Sequence, residues 1–277
     1  LVDEAKDLVA RGARDITLLG QNVNAYHGLD ERGDSVNLAS LIRRLDDVDG
    51  LMRIRYTTSH PRDMDDDLIQ VHGTVDSCMP YLHLPIQSGS DKILKAMNRG
   101  PSAAHYKDII RRLRTVRPDL ALSSDIIVGF PGESEEDFQA TMDLVAEVNY
   151  AQCYSFKYSP RPGTPAAEMG DQVDEDVKSK RLQRLQNLLN AQQLDFNEAM
   201  IGRTLEVIVE RRGKTAGQFV GRSPYMQAVH FTLDAADQKA MDEAHGSAYH
   251  SPIGATVSIK INRAGPNSLS GEIVAVA

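Results

Sequence analysis

Three amides fall within five residues at Gly20-Gln21-Asn22-Val23-Asn24, directly after the β-prone run Asp15-Ile16-Thr17-Leu18-Leu19. An amide both donates and accepts, so such a loop can hold the amine and the carboxylate of an amino-acid ligand; the same residues also cap loops that bind nothing. A second string, Leu84-Pro85-Ile86-Gln87-Ser88-Gly89-Ser90, offers Gln87 and Ser88 to ribose hydroxyls, while Ser90 suits the N-cap of a following helix. In Ser123–Glu133, Asp125 precedes a turn bounded by Gly129 and Gly132. Glycine there either admits a flat ligand against the backbone or merely supplies positive φ. That turn lacks the Gly-Lys-Ser/Thr ending of a phosphate loop. Tyr158-Ser159-Pro160-Arg161-Pro162-Gly163-Thr164-Pro165 is a proline-stiffened rim or a plain linker. No Ser-His-Asp arrangement or metal-ligand cluster competes with these strings, and no single catalytic residue stands out.

The elements that position these strings alternate. Helical periodicity runs over residues 1–12, 37–47, 64–72, 91–98, 103–116 and 135–148, and β-rich runs over 15–19, 53–59, 81–87, 120–128 and 152–158. Each strand follows a helix and ends in a polar or glycine-containing loop. That pattern predicts parallel strands, in a closed or partial (βα) barrel or a doubly wound sheet, with ligands at the carboxyl ends. Residues 173–200 read as a long helix with Val177, Leu182, Leu185, Leu188, Leu189 and Leu194 on one stripe and cations opposite. After Gly202 the pattern becomes short alternating strands, near 204–210, 219–221, 228–231, 256–261 and 269–275. This predicts a small all-β barrel of the oligonucleotide-binding sort.

The chain carries 31 Lys+Arg against 39 Asp+Glu, a net charge of -8 that argues against non-specific nucleic-acid binding but leaves room for a local basic face. Residues 202–277 hold 8 Lys+Arg against 7 Asp+Glu, so this part nets +1 and the rest -9. No apolar run approaches the roughly 20 residues needed to cross a bilayer, and the two cysteines, Cys78 and Cys153, lie far apart. A soluble, cytoplasmic protein without membrane contact is expected. Leu1 opens directly into helix-like sequence with no leader, so a piece of something longer is expected.

In this order, the strings resemble the radical S-adenosylmethionine methylthiotransferases over the whole chain. Leu19-Gly20-Gln21-Asn22-Val23-Asn24-Ala25-Tyr26, Tyr56-Thr57-Thr58-Ser59-His60-Pro61 and Gly221-Arg222-Ser223-Pro224-Tyr225-Met226-Gln227-Ala228-Val229-His230 carry the likeness. They are most similar to the branch acting on N6-isopentenyladenosine beside the tRNA anticodon; related branches modify threonylcarbamoyl-adenosine or a ribosomal-protein aspartate. The resemblance implies a partial radical-enzyme (βα) barrel over 1–201 and a TRAM-like β domain over 202–277. It implies S-adenosylmethionine and two [4Fe–4S] clusters. The cluster cysteines, one set as C-x3-C-x2-C, would lie upstream with the first strand. Cys78 and Cys153 match neither set, so this piece alone is expected to be inactive.

By the same resemblance, Gln21, Asn22 and Asn24 would meet the methionine end of the cofactor. Ser59, Gln87 and Ser88 would face ribose or substrate, and Asp125 with the turn through Gly129 would flank the adenosine. The implied partners are the tRNA anticodon loop and a reducing electron-transfer protein. Arg211, Arg212, Lys214, Arg222, Tyr225 and His230 would contact RNA, since loop bases are read by stacking and phosphates by cations; a solvated hairpin is the plain alternative for the cations. An RNA-binding-only module and a protein-contacting β domain are the competing readings.

Overall fold

The structure, a computed structural model, describes residues 1–30, 32–233 and 252–276. The chain divides into two compact units, residues 1–5 with 15–192, and residues 6–14 with 193–277.

After α1 (Val2–Ala10), which is divided between the units at Ala5/Lys6, the first unit alternates strand and helix: β1 (Asp15–Leu18), a hairpin of β2 (His27–Leu29) and β3 (Ser35–Asn37), α2 (Leu38–Asp46), β4 (Arg53–Tyr56), α3 (Asp66–Thr74) and β5 (Tyr81–His83). Then come α4 (Asp91–Ala96), α5 (Ala103–Val116), β6 (Ala121–Val128), α6 (Glu135–Val148), β7 (Gln152–Lys157), α7 (Pro165–Glu168) and α8 (Glu175–Glu198), whose last residues enter the second unit. β1 pairs with β4, and β5, β6 and β7 pair in turn, all parallel. A parallel bridge from Ile54 to Cys78 joins the two sheets. Spatial order therefore follows chain order with no reversal, as in a partial barrel; a doubly wound sheet would reverse at a switch point.

Several expectations change in detail. The predicted strand 81–87 shrinks to three residues because Pro85 has no N–H for the ladder, and Gln87 takes a φ of 80°. Strand 53–59 stops at Tyr56, before Thr58 at φ 62°. The β2–β3 hairpin escaped the sequence reading because each strand is only three residues long. In α8, Leu185 and Leu189 are buried as expected, but Lys178 and Arg181 share that face. They are there because the helix packs on the turn at 129–133, where Arg181 meets Glu133 at 2.8 Å.

In the second unit, β8 (Thr204–Arg212), β9 (Gln218–Arg222), β10 (Ala228–Thr232), β11 (Thr256–Ala264) and β12 (Ser268–Val276) close into a barrel, order β10-β12-β11-β8-β9. β10 and β12 run parallel and the other pairs antiparallel. Alternate residues such as Leu205, Val207, Val209, Val257, Ile259 and Ile261 fill its core. Closure removes the edges that a five-strand sheet of this size would otherwise expose.

Candidate functional site

Strand parity assigns the two faces of the first unit's sheets. Register pairs Tyr81, His83 and Ser123 with Ala121, Ser123 and Gln152, and pairs Asp125 with Tyr154 and Ile127 with Phe156. Those side chains share one face, which is polar and aromatic. The opposite face, through Leu82, Leu122, Ile126 and Val128, is buried and apolar but for Ser124. On the polar face His83 Nδ1 lies 3.0 Å from Ser123 Oγ, and His83 Nε2 lies 3.7 Å from Asp125 Oδ2. The Tyr154 ring stands edge-on to His83 at 6.4 Å.

At the carboxyl ends, the loop after β1 is tied to the loop after β4. Asn24 Nδ2 donates to the His60 carbonyl and Asn24 Oδ1 accepts from the His60 N–H, both at 2.8 Å. Val23 N donates to Thr58 O at 3.1 Å, and Asn22 Nδ2 donates to Asp63 Oδ2 at 2.6 Å. Burial would raise the Asp63 carboxyl, but the Asn22 hydrogen bond and Arg62 outweigh it and hold it below its ordinary range. Asn22 Oδ1 and Ser59 Oγ are buried here without a protein hydrogen-bond partner. Gln21 stays exposed beside them.

The other predicted residues gather around β6. Gln87 is buried, and its backbone bridges β6 through Asp125 O and Ile127 N, both at 2.9 Å. Its side chain lines a cavity of about 950 Å³ with Arg99, Ile127, Phe130, Phe156 and Tyr158. Ser88 turns away: its Oγ lies 3.3 Å from Thr141 Oγ1 of α6 and accepts from Ser90 N. Ser90 caps α4, accepting from Ile93 N. Gly89 is required because a Cβ would strike the Ala140 backbone. Gly129 sits at φ 72°, and a Cβ there would collide with the Lys178 stem, so a side chain of this unit occupies the space beside it. Its N–H donates to Glu133 Oε1 at 2.9 Å, and burial raises the Glu133 carboxyl against that bond and Arg181.

Sequence reasoning missed His83, Arg99 and the Glu133–Arg181 lock. Parity within Tyr81-Leu82-His83 could have placed His83 with Asp125, whereas nothing local marks Arg99.

In the second unit, Arg211, Arg212 and Lys214 are exposed around the β8–β9 turn, with the Arg212 guanidinium 5.7 Å over the Phe219 ring. His230 is half-buried on β10. Arg222 makes a two-pronged ion pair with Glu210 at 3.0 and 2.9 Å. Tyr225 is buried, edge-on to Phe196 at 5.9 Å, and its hydroxyl accepts from Arg203 at 3.2 Å. Its ring is therefore not an open stacking platform.

The first unit is thus a partial barrel with a cavity at its strand ends, and the second is a closed β-barrel whose strand order is that of the oligonucleotide-binding fold. The chain belongs to the Radical SAM superfamily, which matches residues 1–145, and a TRAM domain matches residues 198–274. A tRNA-2-methylthio-N(6)-dimethylallyladenosine synthase from Zymomonas mobilis is 55% identical over 274 residues, covering 99% of this chain and 58% of that protein. One of the same name from Sphingopyxis alaskensis is 56% identical over 278 residues, covering 100% and 59%. The chain therefore spans under two thirds of the length of these curated relatives. Among solved structures, coproporphyrinogen III oxidase from Escherichia coli aligns at a TM-score of 0.50 and 13% identity, over 80% of this chain and 60% of that one, which supports the fold alone.

Membership implies S-adenosylmethionine and iron–sulfur chemistry in general. Asn22 Oδ1 and Ser59 Oγ, buried at the strand ends without protein partners, fit a ligand that brings hydrogen-bond donors such as an amine and ribose hydroxyls. The cysteines do not fit a cluster. Cys78 and Cys153 lie on the face away from His83 and Asp125, and burial pushes the Cys78 thiol up to about 12 and Cys153 upward as well. A cluster ligand must be a thiolate, so no step is assigned to a cluster on these residues. Among the described residues no helix is long and apolar enough to cross a membrane.

Proposed function

We propose that the polypeptide containing this chain transfers a methylthio group to C2 of N6-isopentenyladenosine beside the tRNA anticodon, by radical S-adenosylmethionine chemistry. The observation that carries this is identity of 55–56% across both units to relatives bearing that activity in their names. Asn22 and Ser59 bond the cofactor, with Gln21 and Gln87 at the edges of its site. Asn24, Ser88 and Gly129 position these loops without touching it. Asp125 and His83 line the polar face where the adenosine enters. Bound S-adenosylmethionine supplies the radical chemistry; the chain orients it and excludes water. Two [4Fe–4S] clusters, held by cysteines other than Cys78 and Cys153, and a reducing electron-transfer protein complete this reading.

The working division falls at 201/202. The TRAM unit meets the anticodon loop through Arg211, Arg212, Lys214 and His230, while Arg222 and Tyr225 hold its surface in shape. The reaction is cytoplasmic, where tRNA and a reducing environment coexist. The full-length reading frame, expressed in a bacterium deleted for its own enzyme of this kind, should restore 2-methylthio-N6-isopentenyladenosine to tRNA digests. Restoration of a methylthiolated threonylcarbamoyl-adenosine instead would replace the substrate and keep the chemistry.

A further inference from the structure

The cavity of about 950 Å³ at the strand ends shares Asn98 and Arg99 with a second cavity of about 430 Å³ on the rim. Arg62, Lys95 and Arg99 line the second, against one carboxylate, Asp91, which already accepts from Ala103 N at 2.7 Å. The turn that presents Arg99 is fixed: Asn98 takes a φ of 58°, and Arg99 N donates to Leu94 O at 2.8 Å. Elsewhere in this unit Arg43, Arg44, Lys107 and Arg112 each carry a carboxylate partner. Neither Arg99 nor Lys95 has a side-chain hydrogen bond or ion pair among the described residues. Arg99 is half-buried, and burial pulls its guanidinium below its ordinary range, with Asp125 only partly opposing. Its charge also reaches His60, which burial, then Arg99 and Arg62, hold below the usual imidazole value. A half-buried cation with no hydrogen-bonded carboxylate, its desolvation only partly offset by Asp125, adds little to folding stability.

We propose that Arg99 and Lys95, with Arg62 beside them, bind a backbone phosphate of an RNA strand whose neighbouring base enters the larger cavity. A guanidinium and an ammonium around one polar hollow match a phosphodiester, which offers charge and several acceptors. This rests on the tRNA reading above.

The test is binding of a labelled RNA hairpin, with an adenosine-bearing single-stranded loop, to the chain as it stands, by anisotropy across a salt series. Lys95→Gln/Arg99→Gln should weaken binding about tenfold. It should also flatten log Kd against log salt by roughly 0.7 for each single-strand phosphate that the variant no longer neutralises. Arg99→Lys, which keeps the charge, should recover most of the affinity, and the thermal midpoint should not move. Unchanged affinity and slope in the folded double variant overturn the site while leaving the tRNA reading intact. Absence of binding by the unaltered chain also overturns the site, while the tRNA reading stands or falls on the product made by the full-length polypeptide.

Discussion

Asn24 should behave as a clamp and not as a ligand contact. Its amide closes both polar groups of the His60 backbone at 2.8 Å, so Asn24→Ala leaves an N–H and a carbonyl without their partner. Two hydrogen bonds at a net 0.5–1.5 kcal/mol each predict a loss of about 1–3 kcal/mol. For a domain of this size that is roughly 2–12 °C in melting temperature. Asn24→Asp keeps the acceptor but sets a carboxylate oxygen against the His60 carbonyl, so it should recover none of the loss. Thermal melts followed by circular dichroism give the magnitude, and hydrogen exchange at the His60 amide localises it. A loss under about 0.5 kcal/mol, with His60 protection intact, would mean the amide is free to bind something else, and the reasoning would fail.

Ser59→Ala removes a buried hydroxyl that no protein group satisfies, so the ligand-free protein should be as stable or gain up to about 2 kcal/mol, while S-adenosylmethionine binding by the loaded enzyme weakens; clear destabilisation in urea would refute this. Glu133→Ala removes the closest carboxylate from Arg181, where the two side chains are 1% and 7% exposed, and leaves it only Glu135 at 3.4 Å and a backbone carbonyl; a loss of about 3 kcal/mol in urea denaturation is expected, with Glu133→Gln losing less. His72 lies buried with Nε2 2.6 Å from the Tyr56 hydroxyl, and burial holds its pKa at about 4 against an ordinary 6.5. Below pH 6.5 the unfolded chain takes up a proton that the folded state refuses until about pH 4. Stability should therefore fall as pH falls through that window, by up to about 3 kcal/mol. A flat profile from pH 7 to 4 would contradict it.

Much of the architecture was legible because it is written in local periods. The 14-residue helices α5 and α6 appeared at their observed bounds from their 3.6-residue apolar stripe, and in the structure Ser102 and Ser134 cap them. The β-barrel was legible from alternation alone, through Thr204–Arg212 and Thr256–Ala264. Roles within the site were less so. Asn22 and Asn24 look alike in sequence, yet one retains a buried oxygen without a protein partner while the other is consumed by His60, 36 residues away. Gly129 read equally well as a ligand seat or a turn, and only α8, arriving from far along the chain, fills the space with Lys178. Tyr225 looked like a stacking platform until packing placed Phe196 against it. Non-local contacts of this kind leave no period for a local reading to find.

The full-length enzyme, loaded anaerobically with iron and sulfide, would be given S-adenosylmethionine, a reductant and a synthetic anticodon stem–loop bearing N6-isopentenyladenosine. A parallel reaction would carry N6-threonylcarbamoyl-adenosine, and both products would be weighed by mass spectrometry. A methylthio group on the isopentenylated loop alone is the expected result. Cofactor cleavage with the isopentenylated loop left unmodified would contradict it.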